Sequence, residues 1–421
     1  MIKKIIVIIL ILLVIIAGVF LYIQKKNGSI SNPTVQKIVD YFPFGKPNNQ
    51  TISLPPDNNN SDTNNNDNNT PGETNQNNTN PAIGRLTLER LSDGPATSGT
   101  FTKTVDGSFV EYIDRATGNL YDVNIDSLTK TRLTNKTIQK VVDASWGAAD
   151  NFIVRYGTDS GTESFSARLA AAPLFATSTS LRDFSGTFLP SGITDIVVSP
   201  KKDKLFYLVT ADTTKGFVSL PDGSKKVQLL DTPVSEWISM WPKDDTITLT
   251  TKASAASSGY LYFVNSKNGS MDPILSGQAG FTTLTNPSLG NILYSESTSQ
   301  GFITNTYNAE TTGSLPAPVT TLPEKCVWSK KNTNTAYCAV PKAIPSGNYP
   351  DSWYQGIVSF NDALYKIDVK SGTATFLIDP YEQLKSDVDG VKLFLDDNED
   401  TLFFTNKKDS ILWGLRLTSS S

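Results

Sequence analysis

The chain has 421 residues, a formal net charge of −4 and 38% apolar residues. It contains no histidine and two cysteines, which excludes Ser-His-Asp and Cys-His nucleophile systems, histidine-ligated zinc and four-cysteine metal sites. No dense cluster of lysine and arginine indicates a nucleic-acid partner, and no recognisable motif indicates a catalytic residue, a metal or a cofactor.

Residues 5–23 are the first predicted element, a transmembrane helix within an N-terminal anchor at 1–27. The run has 19 residues without a charge or a proline. At ~1.5 Å per residue it is long enough to cross the hydrocarbon core of a bilayer. A cleaved signal peptide is the alternative, but the run is longer than a typical signal core and lacks a small-x-small site. The short N-terminus favours a cytoplasmic N-terminus, so we expect a single-pass protein of the cell membrane with an extracytoplasmic C-terminal part.

Two segments are predicted to connect the anchor to the folded part of the chain. Residues 28–46 form a juxtamembrane segment that either lies on the membrane surface or is a poorly ordered stub. Residues 47–82 form an asparagine-rich linker, with 14 asparagines among the 35 residues of 47–81. Because this composition buries too little apolar surface to offset its ordering entropy, we expect a disordered tether.

Residues 83–421 are predicted to form one all-β domain. Short stretches rich in β-branched and aromatic residues alternate with polar turns, and no long segment has a helical period. One hairpin recurs seven times with spacings near 43 residues, apart from two longer gaps that contain insertions. Four-stranded units repeating at this spacing predict a seven-bladed β-propeller. The recurring strand begins at Phe109, Phe152, Leu205, Ile247, Ile292, Ala336 and Leu402.

The ends of this domain predict how the ring closes. After the seventh hairpin only one further strand remains, at 412–417, so the last unit is one strand short. An alternating stretch at 85–91 precedes the first hairpin. We expect this N-terminal strand to complete the last blade, which would remove the exposed edges of an open array.

The segments SPKKDKLFYLV (199–209) and LYKIDVKSGTATFL (364–377) resemble the repeat of TolB-type, WD-repeat-like propellers. In that pattern a Ser-Pro turn precedes an apolar strand, and a Leu-Tyr-x-x-Asp strand and a glycine turn follow. The resemblance covers about residues 85–417, although six of the seven turns lack the Ser-Pro pair. It implies a propeller used for binding, since members of such families rarely carry chemistry on the propeller itself.

Cys326 and Cys338 lie on the two strands of the sixth hairpin. A turn centred near Asn332 places them directly opposite each other, where Cα atoms are about 4.5–5.5 Å apart and within disulfide range. We therefore predict a disulfide, which an extracytoplasmic compartment permits. A pair of free buried thiols is the alternative.

The largest insertion, residues 341–362, follows the second strand of the sixth unit. It carries Tyr349, Trp353, Tyr354 and Gln355, which we assign tentatively to ligand or partner binding. Exposed aromatic residues flanked by polar groups are typical of recognition surfaces, and this loop lies on the propeller face commonly used for ligands. The alternative is a self-packed loop that caps the channel, with Trp353 as its core.

Other conspicuous residues have structural interpretations. Trp146, Trp241 and Trp328 open successive hairpins and are expected to pack between blades. The acidic run 396–400 coincides with a hairpin turn and lacks the glycine and distal glutamate of an EF-hand loop.

These features predict a membrane-anchored, extracytoplasmic propeller that is a binding or scaffold module for an envelope protein or glycan, and not an enzyme. One alternative is a glycan-active propeller enzyme that relies on carboxylates and tyrosine alone. The other is a purely structural envelope protein.

Overall fold

The computed structural model describes residues 86–148, 150–171 and 181–418. The predicted anchor at 5–23, the juxtamembrane segment and the asparagine-rich linker up to residue 82 lie outside these ranges. Within the described residues, no helix is long and apolar enough to cross a membrane.

The described residues form seven antiparallel sheets of four strands each, so the prediction of an all-β, seven-bladed propeller is confirmed. The second strand of every sheet begins within two residues of its predicted start. Two short helices, α1 (Asp351–Tyr354) and α2 (Pro380–Leu384), and a 3₁₀ turn (Pro323–Lys325) also occur in the described part. In chain order the strands are β1 (Leu88–Arg90), β2 (Thr100–Thr104), β3 (Gly107–Ile113), β4 (Leu120–Asn124), β5 (Lys130–Arg132), β6 (Val141–Trp146), β7 (Asn151–Thr158), β8 (Gly161–Leu169), β9 (Phe184–Phe188), β10 (Ile193–Val198), β11 (Leu205–Thr210), β12 (Thr214–Ser219), β13 (Val227–Thr232), β14 (Trp237–Lys243), β15 (Thr246–Thr251), β16 (Ser258–Asn265), β17 (Met271–Ala279), β18 (Thr283–Thr285), β19 (Asn291–Thr298), β20 (Gly301–Asn308), β21 (Gly313–Pro316), β22 (Cys326–Trp328), β23 (Thr335–Pro341), β24 (Asp362–Asp368), β25 (Thr373–Ile378), β26 (Gly390–Leu395), β27 (Thr401–Asn406) and β28 (Leu412–Arg416).

Each blade is a meander in which every strand pairs with the one before it. Blade 1 contains β2 to β5, blade 2 β6 to β9, blade 3 β10 to β13, blade 4 β14 to β17, blade 5 β18 to β21 and blade 6 β22 to β25. The first strands of neighbouring blades contact one another, as β6 with β10, β10 with β14 and β22 with β26. The first strand of each blade therefore lies nearest to the axis of the ring.

Blade 7 joins the two ends of the described chain. Its strand order is β26, β27, β28 and β1, and Leu88 of β1 lies opposite Leu415 of β28. The strand expected near 85–91 is thus the outer strand of the last blade. This pairing covers the edge that β28 would otherwise expose.

The apolar cores lie between adjacent blades. Each second strand is covered on both faces, which explains continuous apolar runs such as Leu205 to Leu208, all fully buried. Trp241 and Trp328 are buried in two of these cores, which confirms the packing role predicted for them. Trp146 packs on Phe152 with ring centroids 6.1 Å apart, but it remains half-buried.

Candidate functional site

Cys326 on β22 lies directly opposite Cys338 on β23, and the two are joined in a disulfide. Their Cα atoms are 4.1 Å apart, and both residues are buried. The bond ties the innermost strand of blade 6 to its neighbour. This is the arrangement that the hairpin geometry predicts.

The insertion of blade 6 connects β23 to β24 and contains α1. Tyr349 and Trp353 are exposed by only 0% and 4%, and they pack with Phe302, Leu322 and Phe360. The interpretation of Tyr349 and Trp353 as surface aromatics is therefore wrong. The apolar side chains supplied by blades 5 and 6 explain the burial, because Tyr349 lies 5.1 Å from Phe302 and 5.8 Å from Phe360 between ring centroids.

Tyr354 and Gln355 are the other two residues of the predicted recognition set. Tyr354 is half-buried, and its hydroxyl donates a hydrogen bond to the Glu324 carboxylate. Burial raises the pKa of Glu324 to about 7, although the hydrogen bond from Tyr354 opposes this rise. Gln355 is exposed. Tyr354 thus makes an internal contact, and Gln355 alone of the four predicted residues stands fully on the surface.

Buried charges hold the insertion in place. Lys325 is fully buried, and its Nζ lies 2.8 Å from Oδ2 of Asp362 and also donates to Asp389. Asp389 further accepts hydrogen bonds from the Trp353 ring nitrogen at 3.0 Å and from the Phe360 amide at 3.1 Å. Burial raises the pKa of Asp362, whereas the Lys325 ammonium outweighs burial at Asp389 and lowers its pKa. The network fastens the loop to blade 7.

The acidic run 396–400 forms the turn between β26 and β27. Oδ1 of Asp396 accepts hydrogen bonds from the amides of Asp400 and Thr401. Among the described residues, no cluster of three or more potential ligands is arranged to hold a metal ion.

A cavity of about 330 Å³ lies between blades 1 and 2, and a residue from one turn of blade 3 also lines it. We call it the blade 1–2 cavity. Trp146, which is half-buried, and Phe152 line it together with the charged side chains of Glu111, Asp150 and Lys202, whereas the ring of Phe101 packs on Phe403 of blade 7. Aromatic walls with a few converging polar groups are typical of small-molecule sites, and this volume is at the lower end of their range.

Glu111 is placed in the cavity by the alternation of β3. Its neighbours Val110 and Tyr112 face blade 7, so Glu111 faces blade 2. Within the sheet it lies opposite Asp122 of β4. Burial raises the pKa of Glu111 to about 7, and the carboxylates of Asp150 and Asp122 add to the rise, whereas Arg182 and Lys202 oppose it. No described residue donates a hydrogen bond to this carboxyl group.

Asp150 and Lys202 reach the cavity from two turns. Asp150 is paired with Arg182, whose Nη2 lies 3.0 Å away. Lys202 has a φ of 59° in the turn between β10 and β11, and its Nζ donates to Oγ1 of Thr100 at 3.2 Å. The carbonyl of Lys202 also accepts a hydrogen bond from the Ala148 amide at 2.9 Å. Blade 3 therefore presents an ammonium group to a cavity formed mainly by blades 1 and 2.

Glu111 occupies a position that the other blades use for packing. In every other blade, the residue of the second strand that faces the next blade in mid-strand is uncharged and buried: Ile153, Phe206, Thr248, Leu293, Tyr337 and Phe403. Blade 1 has a carboxyl group there. The sequence does show a charged residue in the middle of a predicted strand at Glu111. The turn before β3 is short, and it shifts Glu111 by one residue relative to the equivalent positions of the other blades, so aligning the hairpins does not reveal the match.

The fold defines the chain as a seven-bladed β-propeller protein. No family model matches the sequence, and no curated protein matches it. An oligogalacturonate lyase from Vibrio parahaemolyticus has a similar structure, with 11% identity, a TM-score of 0.52 and coverage of 79% of this chain and 97% of the lyase. A streptogramin B lyase (12% identity, TM-score 0.48, 79% and 98% coverage) and the virginiamycin B lyase of Staphylococcus aureus (11%, 0.47, 79% and 99%) are also similar.

The prediction that the chain is not an enzyme is contradicted by these comparisons. It relied on the absence of histidine and of a recognisable catalytic motif, and on the expectation that propellers of this kind rarely carry chemistry, yet the oligogalacturonate lyase has the same fold over almost its whole length. Fold and composition alone therefore do not exclude catalysis. At 11% identity the similarity establishes the fold and no particular reaction.

Proposed function

We propose that this chain is a membrane-anchored, extracytoplasmic propeller of the TolB type that binds a glycan or protein of the cell envelope. The observation that carries the binding function is the blade 1–2 cavity. It is a concave site lined by Trp146 and by charged side chains, and it holds Glu111 at a position where the other blades have an uncharged, buried residue.

Two features support the proposed location. The apolar run at 5–23 has the length and the flanking lysines of a membrane anchor. The disulfide between Cys326 and Cys338 suits an oxidising compartment. The hairpin motifs at 199–209 and 364–377 support the TolB-type assignment.

The binding function is tested by capture from envelope extract with the full chain in detergent. Captured proteins are identified by mass spectrometry and captured glycans by sugar analysis. Ala148→Phe adds a ring to the cavity wall, and Ala374→Phe adds the same ring to the exposed outer strand of blade 6 as a control. We expect a saturable component that binds the wild type and Ala374→Phe but not Ala148→Phe. Capture of nothing saturable by any of the three would overturn the proposal.

A second candidate function, carboxylate-based cleavage of a glycan, is favoured by Glu111. A carboxyl group with a pKa of about 7 suits a general acid at neutral pH, and Asp150 is a second carboxylate in the same cavity. Incubation of the full chain with envelope glycans tests this function by the appearance of new reducing ends or unsaturated products. Cleavage should disappear in Glu111→Gln. Cleavage that persists in this variant would remove Glu111 from the mechanism.

A further inference from the structure

Two opposite charges face each other in the blade 1–2 cavity without forming an ion pair. Glu111 and Lys202 attract each other, but no ion pair joins them in the described part of the chain. Asp150, by contrast, is neutralised by Arg182 at 3.0 Å. The carboxyl group of Glu111 has no hydrogen bond from the described residues and is only partly buried. It is therefore available to a polar group that enters the cavity between Glu111 and Lys202.

The charges restrict what that group can be. An anionic ligand would be repelled by Glu111 and Asp122, and a cationic ligand would be repelled by Lys202. A neutral group that both donates and accepts hydrogen bonds fits between them. A hydroxyl group does this, since it donates through its hydrogen and accepts through its lone pairs.

The walls of the cavity indicate the shape of the ligand. Trp146 offers half-buried aromatic surface, and Thr100, Thr102 and Asn151 add neutral polar groups. A sugar ring has an apolar face for the Trp146 side chain and hydroxyl groups around its edge for Glu111 and Lys202. The cavity of about 330 Å³ admits a small group and not a folded element of a partner protein.

We propose that the blade 1–2 cavity binds one sugar ring of a neutral glycan, whose hydroxyl groups donate to Glu111 and accept from Lys202. This rests on the proposed binding function and narrows it to one class of ligand and one site. Glu111 and Lys202 are the specificity-determining residues, and the Trp146 side chain supplies contact area.

The test uses the full chain in detergent and tetrasaccharides of glucose, galactose and N-acetylglucosamine, measured by isothermal titration calorimetry. A lysine-containing peptide and a glucosamine tetrasaccharide are the cationic probes. We expect at least one neutral tetrasaccharide to bind saturably. Glu111→Gln and Lys202→Met should each weaken this binding about tenfold or more, because each removes a charge-assisted hydrogen bond. Glu310→Gln, at an exposed glutamate in a turn of blade 5, should bind like the wild type.

Two outcomes would overturn the inference. One is the absence of binding by all neutral tetrasaccharides, or tighter binding of a cationic probe. The other is equal binding by the wild type, Glu111→Gln and Lys202→Met, which would place the glycan elsewhere. Circular dichroism of each variant shows whether a loss of binding reflects unfolding. If the chain captures an envelope component from extract but binds no neutral tetrasaccharide, the binding function stands and the sugar assignment fails.

Discussion

Glu111 makes the folded chain less stable at neutral pH than an uncharged residue would. Its pKa is about 7 in the folded chain against an ordinary value of 4.5. Between these two values the folded state holds its proton more tightly than the unfolded state. Stability is therefore lost as the pH rises from about 4.5 to 7, and the loss is complete above 7. A residue with this cost at a packing position is a sign of function.

Replacing Glu111 by glutamine should stabilise the protein at pH 8 and have little effect at pH 4.5. The shift in pKa corresponds to a gain in the free energy of unfolding of roughly 2–3 kcal/mol at pH 8. This figure is reduced for solvent screening, because Glu111 is partly exposed. Denaturant unfolding at both pH values measures this difference. Glu310→Gln is the matched control and should change neither value. A destabilised Glu111→Gln, or an equal gain at both pH values, would show that ionisation is not the cause.

Removing the charge of Lys325 should destabilise the protein, in contrast to removing that of Glu111. Lys325→Met leaves the carboxyl groups of Asp362 and Asp389 buried without their ammonium partner. We expect a loss of about 3–5 kcal/mol at pH 7, and a smaller loss at pH 4 where the carboxyl groups can protonate. Lys342→Met is the control, because its pair with Asp379 is partly exposed and should contribute less than about 1 kcal/mol. Similar losses in the two variants would contradict the buried-network interpretation.

Among the elements, the sixth hairpin carries a disulfide that stabilises the fold and whose formation depends on the compartment in which the domain resides. The disulfide closes a loop with a sequence separation of 12, which in the chain-entropy model stabilises the fold by about 2–3 kcal/mol. Protein that is produced through the native membrane route should contain no free thiol by non-reducing mass spectrometry. A version without residues 1–27, retained in a reducing cytoplasm, should contain two. Two free thiols on the natively produced protein would contradict an extracytoplasmic location for the domain.

The elements also show what could be predicted from the sequence. The strands were predictable because each blade repeats the same order of turn and apolar strand, so seven weak signals reinforce one another. The burial of the aromatic residues in the insertion could not be predicted, because a segment such as Tyr349 to Tyr354 can have the same composition on a surface and in a small core. Burial there depends on Phe302, which comes from a different blade. The cavity combines Glu111, Trp146 and Lys202, and nothing in their spacing along the chain brings three separate blades together.

For the whole molecule, the pairing of β1 with β28 should determine whether the ring is stable. A chain that begins at residue 92 lacks β1, and it exposes the edge of β28 and the apolar surface that Leu88 and Leu91 cover. We expect this chain to unfold at lower denaturant concentration than one beginning at residue 83, and to associate at concentrations where the longer chain is monomeric. Size-exclusion chromatography and urea unfolding measure both effects. Equal behaviour of the two chains would mean that the outer strand of blade 7 is dispensable.

The pairing of β1 with β28 also determines the order in which the blades can form as the chain is synthesised. β1 is synthesised before every other described strand, and its partner β28 is synthesised last of them. Next to this pair, the Leu412 amide donates a hydrogen bond to Oγ of Ser92, across 320 residues of chain. Each of blades 1 to 6 can complete its own meander as it emerges, because its contacts are local. Blade 7 must wait until β28 has been made, and the first strand remains without its neighbour for the whole of that time. Closure of the ring is thus its last assembly step, and a chain that lacks β28 would leave β1 unpaired and the ring open.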